Sequence, residues 1–227
     1  MDIRVEHSPA FAMAIVDLEP GESFVGENGS MVSMSTGIDI NTTSKAIGGK
    51  GGLLKSIGRM IGGESFFNNI YTAANGPGTV TLSPTLIGDV VRHDLENSSM
   101  IVQSSSWLGS GSGIELETTW GGMKSFFGGE GLFMLRLHGS GPVLFNAFGA
   151  IHRIEVDGRF IVDTGHIVAF EESLSFDVKR VGGWFSTFFS GEGLVTEFSG
   201  NGTLWIQTRN PKEFGSLIGG KLPPRDK

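Results

Sequence analysis

Five histidines stand in the 227-residue chain: His7, His93, His138, His152 and His166. Imidazoles paired with a carboxylate make a facial metal site, and His152, Asp163, His166 and Glu171 come nearest to supplying one. Their spacing argues against it. No two histidines form His-x-His, and Asp163-Thr164-Gly165-His166 reads as a turn between Ile161-Val162 and Ile167-Val168, with the Asp163 side chain bonding the turn backbone. A cupin-like small-molecule or metal-binding protein built on His152, Asp163 and His166 is therefore the alternative reading. Serine hydrolysis fares worse. Gly109-Ser110-Gly111-Ser112-Gly113 is bracketed by neither the strand nor the helix that a nucleophile elbow needs, and reads as a flexible loop. Gly48-Gly49-Lys50-Gly51-Gly52 has a phosphate loop's composition without its Gly-Lys-Ser/Thr ending. The chain has no cysteine, which removes thiol catalysis, disulfides and Cys-based zinc. No catalytic set and no cofactor emerges, and the expectation is a non-enzymatic protein.

The elements around these residues are short strands. Glycine supplies 36 of the 227 residues, a share well above the usual value of about 7%, and it sits in pairs between apolar runs as tight turns do. Self-similarity is the stronger signal. Gly62-Gly63-Glu64-Ser65-Phe66-Phe67, Gly128-Gly129-Glu130-Gly131-Leu132-Phe133 and Ser190-Gly191-Glu192-Gly193-Leu194-Val195 match one another. Each is followed by a glycine turn and an alternating strand, with Val80/Leu82, Val143/Phe145 and Leu204/Ile206 on one face. A second half-unit also recurs: Ser30 to Met34 before Ile38-Asp39-Ile40, Met100 to Gln103 before Ile114-Glu115-Leu116, and Phe160 to Asp163 before Phe176-Asp177-Val178.

The chain begins with the second half-unit and ends with the first. The expected fold is all-β: a pseudo-three-fold β-sandwich or barrel of short double-stranded β-helix type. One repeat is split, and it closes where residues 15–40 meet residues 190–208, which would remove exposed sheet edges. Gln207, Thr208 and Arg209 would then bond across to the N-terminal strands, with Arg209 in a buried ion pair. Residues 1–210 form one all-β domain on this reading, and 211–227 a partly disordered tail ending in Leu222-Pro223-Pro224-Arg225-Asp226-Lys227.

Three segments preceding the Gly-Glu motifs carry large apolar residues. The first, with Leu53, Leu54, Ile57 and Ile61 on one helical face and Lys55 and Arg59 opposite, suits a surface-lying helix. The second holds Trp120, Phe126 and Phe127, and the third Trp184, Phe185, Phe188 and Phe189. On one rim they would make a docking or membrane-facing patch; folded inward they would cap a barrel.

The Gly62 to Phe67 and Gly129 to Phe133 strings recur together with Gly149-Ala150-Ile151-His152, Val162 to Phe170 and Ile206-Gln207-Thr208-Arg209-Asn210. Over residues 20–210 this combination resembles the altered-inheritance-of-mitochondria, or mitochondrial-biogenesis-like, family. The resemblance implies a fold similar to the tryptophan RNA-binding attenuation protein, and brings no catalytic residues with it. A net charge of −7 opposes general binding to nucleic acid. No run approaches the ~18 apolar residues of a membrane span. The expectation is a cytoplasmic scaffold or docking module that forms homo-oligomers and engages an unknown protein or a membrane surface peripherally.

Overall fold

The computed structural model describes residues 1–43, 68–117, 133–180 and 194–223. Among the described residues, fifteen strands and one α-helix fall into three units. The first contains β1 (Asp2–Glu6), β2 (Met13–Leu18), β3 (Ser23–Glu27), β4 (Met31–Met34), β5 (Ile38–Thr43), β6 (Asn68–Ala73) and β7 (Gly78–Leu82). The second contains β8 (Val90–Gln103), β9 (Trp107–Gly111), β10 (Ile114–Glu117) and β11 (Met134–Asn146). The third contains β12 (Ile151–Asp163), β13 (Ile167–Glu171), β14 (Ser175–Arg180) and β15 (Leu194–Gln207), and α1 (Pro211–Gly219) follows it.

Strand pairing shows the units to be equivalent. A long antiparallel pair forms the frame of each: β8 with β11, β12 with β15, and in the first unit β2–β3 with β6–β7, where each long strand is broken in two. A short strand then returns over the far half of the frame: β4 on β7, β9 on β11 and β13 on β15. All three skip one residue at the same place, between Met31 and Ser33, Trp107 and Gly109, and Ile167 and Ala169. The fourth element flanks the near half, as β5 on β6, β10 on β11 and β14 on β15.

Neighbouring units are sewn together by one recurring junction. The short strand of one unit pairs with the long strand of the unit before it. Gly109 stands opposite Gly26 and Ser110 opposite Val25; Ala169 stands opposite Val102 and Phe170 opposite Ile101. The first crossing is tight enough to require glycine. A Cβ on Gly109 would lie 2.5 Å from the Phe24 ring and 2.7 Å from the Val25 carbonyl oxygen.

Each unit has its own apolar core, and two of these cores borrow side chains from the following unit. The first takes Leu108 and Leu144 in with Phe24, Tyr71 and Leu82. The second takes Val168, Ala169 and Trp205 in with Trp107, Leu137 and Phe145. The third, around Phe170, Phe198 and Leu204, draws Ile101 and Met134 from the unit before it.

Three expectations need correction. The repeat is not split: each unit runs from second half-unit to first, because the hairpin frame pairs strands within a unit. No strand pairing among the described residues joins β2–β5 to β15, whose partners are β12, β13 and β14. Gln207 instead accepts from Phe148 N (2.9 Å) and donates to the Gly165 carbonyl (3.0 Å), while Thr208 Oγ1 accepts from Ala150 N (3.0 Å). Arg209 bonds the neighbouring Thr208 carbonyl from an exposed position. Second, Met31–Met34 matches Trp107–Ser110 and Ile167–Phe170, and it is Phe24–Glu27 that matches Met100–Gln103. Third, the tail carries a helix. The Asn210 side chain accepts from Lys212 N and Glu213 N, and Pro211 occupies the first turn, where its missing N–H costs nothing.

Candidate functional site

The structure does not bring His152, Asp163 and His166 together as a ligand set. The Asp163 carboxylate accepts from Gly165 N (2.8 Å) and caps a single 3-10 turn, as the sequence suggested. His166 Nδ1 donates to the Gln207 carbonyl (2.7 Å), and His152 is exposed on β12. Glu171 accepts from Thr203 N at 3.0 Å. Among the described residues no three His, Asp or Glu side chains gather closely enough to hold a metal. The segment Gly109–Gly111 is not a loop but the buried end of β9, with β11 on one side and β3 on the other. Its small residues answer to close packing between two strands.

The polar constellation with the best geometry lies at the second junction and was not foreseen. A cavity of about 310 Å³ is lined by His93, Leu95, Ser99, Glu171 and Glu172, among others. Beside it Arg136 on β11 grips Glu172 through Nε (2.9 Å) and Nη2 (3.0 Å), and Nη2 also donates to Ser99 Oγ (3.0 Å). The hydrogen bonds from Arg136 hold the Glu172 carboxyl below its usual range, and Glu172 raises Arg136 in return. Burial lowers the basicity of His93, whose ring stands edge-on to Trp205 with centroids 5.2 Å apart.

Ser99 Oγ lies 2.8 Å from His138 Nδ1, a separation at which an imidazole can accept a hydroxyl proton. The repeat supplies the comparison. Ser99 faces His138 across β8–β11 as Ser23 faces Thr72 across β3–β6, and Ser23 and Thr72 share a hydrogen bond of 2.8 Å. The Ser–His pair is thus one version of a cross-strand polar tie, and Arg136 extends it to Glu172 and fastens unit two to unit three. Cross-strand register places these residues together, so linear spacing carries no sign of them.

Apolar exposure marks a different place. Met31, Val32 and Met34 on β4, Phe160 and Ile161 on β12, and Phe214, Leu217 and Ile218 on α1 all reach solvent. The docking-rim residues Leu53, Leu54, Lys55, Ile57, Arg59, Ile61, Trp120, Phe126, Phe127, Trp184, Phe185, Phe188 and Phe189 lie outside the described residues. Each group falls, in chain order, between the strands that flank and complete its unit's frame.

A family model described as "Mitochondrial biogenesis AIM24" matches residues 3–209. An uncharacterised protein of Streptococcus pyogenes serotype M6 is 31% identical over 228 aligned residues, spanning 98% of this chain and 92% of that one. The crystal structure of a Streptococcus pyogenes protein superposes with a TM-score of 0.79 at 29% identity, covering 97% of this chain and 99% of the other.

Proposed function

Starting from the fact that this chain belongs to the mitochondrial biogenesis AIM24 family, we propose that it is a non-enzymatic scaffold or docking protein. The observation that carries this reading is a division of labour among its side chains. The polar groups best placed for chemistry, Ser99, His138, Arg136 and Glu172, are spent on tying strands to one another. Large apolar side chains are left bare on β4, β12 and α1, as they are at Phe11, Ile40 and Ile87. Burying such surface against a partner is favourable by the same effect that builds the core.

Self-association and a peripheral seat on a membrane both belong to this reading, in a cytoplasmic protein. No helix among the described residues is long and apolar enough to cross a bilayer. The chain is also proposed to have a fold similar to that of the tryptophan RNA-binding attenuation protein, without binding nucleic acid, since a net charge of −7 opposes contact with phosphate backbones. The test is light scattering combined with co-sedimentation on anionic vesicles, for wild type and a Phe214→Ser/Leu217→Ser variant. Assembly, or vesicle binding that the variant weakens, supports the reading. A wild-type protein that stays monomeric at high concentration and ignores vesicles overturns both forms of it.

A further inference from the structure

The internal junctions repeat twice, and the chain carries the two halves of a third that no strand pairing among the described residues joins. At the first junction the short strand β9 lies on β3; at the second β13 lies on β8. By the same equivalence β4 is the short strand of unit one, and the second half of β12 is the receiving strand of unit three. Among the described residues β4 pairs only with β7, and β12 only with β15.

The contrast in burial is large. Leu108 and Val168 occupy equivalent places on β9 and β13, are 0% exposed, and fill the core of the preceding unit; their counterpart on β4, Val32, is 58% exposed. On the receiving side Ile101 is 0% and Val25 1% exposed, whereas the matching Ile161 is 60% exposed. Neither bare stretch, Met31 to Met34 or Phe160 to Val162, contains a charge or a proline, the usual devices that keep a sheet edge from pairing. The outer edges of β5, β10 and β14 are also unpaired among the described residues, but they are so in all three units and mark no asymmetry.

We infer that β4 of one chain pairs with β12 of a second copy of the same chain, rebuilding the internal junction between molecules. This rests on the docking reading and gives it an occupant and a register. Transferring the pairing of Ala169 with Val102 and Phe170 with Ile101 puts Ser33 opposite Val162 and Met34 opposite Ile161. The two faces differ, so the contact is head-to-tail, and each added chain leaves one β4 and one β12 free until a ring closes.

The absence of cysteine makes the register directly testable. Full-length Met34→Cys and Ile161→Cys chains are purified separately, mixed in equal amounts and treated with a short bis-maleimide. The mixture gives a cross-linked dimer, neither chain alone does, and a mixture of Ile87→Cys with Ile161→Cys, both exposed but out of register, does not. Light scattering on wild type gives a mass several-fold that of one chain, which Val32→Lys reduces to the monomer. A double Met34→Cys/Ile161→Cys chain that cross-links only within itself overturns the inference in favour of closure inside one molecule. An assembly that neither cross-links at this register nor responds to Val32→Lys overturns it while leaving the docking reading standing. A monomer that binds vesicles does the same, leaving the membrane form of that reading.

Discussion

Glu27 ends β3 in a half-buried position, and burial pushes its carboxyl up to about 7 from an ordinary 4.5. The corresponding residue of the second unit is Gln103, buried and uncharged, so the fold already accommodates an amide at this point. The perturbation to make is Glu27→Gln. Below about pH 4.5 the carboxyl is protonated in both folded and unfolded chains and costs nothing. Between about 4.5 and 7 the unfolded chain ionises while the folded one resists, so stability falls as pH rises; above about 7 the loss is complete. A shift of that size, at about 1.4 kcal/mol per pH unit, sets a ceiling of roughly 3 kcal/mol. Residual solvent contact brings the expected value nearer 2 kcal/mol. Urea unfolding followed by fluorescence, at pH 5 and pH 8 and one protein concentration, isolates the contribution as a difference of differences. Part of that loss has already occurred at pH 5, so wild type loses about 1–1.5 kcal/mol more than Glu27→Gln between the two pH values. Equal losses would refute the argument, because every other titrating group is common to both proteins.

Other perturbations address the remaining joints of the molecule. Gly109→Ala forces a methyl group against Phe24 and the Val25 carbonyl and should cost about 1–3 kcal/mol in chemical denaturation, although the equivalent position of unit three is Ala169. A double-mutant cycle of Arg136→Ala and Glu172→Ala should give a coupling of about 1 kcal/mol at neutral pH. Because the Glu172 carboxyl is depressed, that coupling is present above its unfolded pKa and disappears as pH falls through the folded one. Asn210→Ala removes two hydrogen bonds at the start of α1 and should destabilise the helix by about 1 kcal/mol, read as faster amide exchange over residues 211–219.

The existence of three units was legible because each carries the same glycine turn and the same alternating strand, as in Val143/Phe145 and Leu204/Ile206. Their phase was not, because the strands that define it do not alternate. β9 reads Trp-Leu-Gly-Ser-Gly and is buried at every position, since strands flank both its edges and side chains cover both its faces. Without a period of two it passes for a loop. β4 deceives in the opposite direction: Met-Val-Ser-Met has the apolar character of a long receiving strand but forms a short donating one. Arg136 and Glu172 meet across a unit boundary through register alone, which a bulge at Gly139/Ser140 shifts by one residue. The start of the tail helix is legible in Asn210-Pro211, an N-cap followed by a proline at the first helical position.

Fusing three units into one polypeptide separates the junctions by kinetics as well as by place. The two internal ones form between partners held together by the backbone, at an effective concentration that no dilution changes. A third, formed between molecules, follows mass action and loosens as protein becomes scarce. Any ring so built also contains a multiple of three units, and curvature that favours another number must be absorbed where no linker restrains the strands. Abundance would then control assembly at Ser33 and Val162 while leaving the crossings at Gly109 and Ala169 untouched.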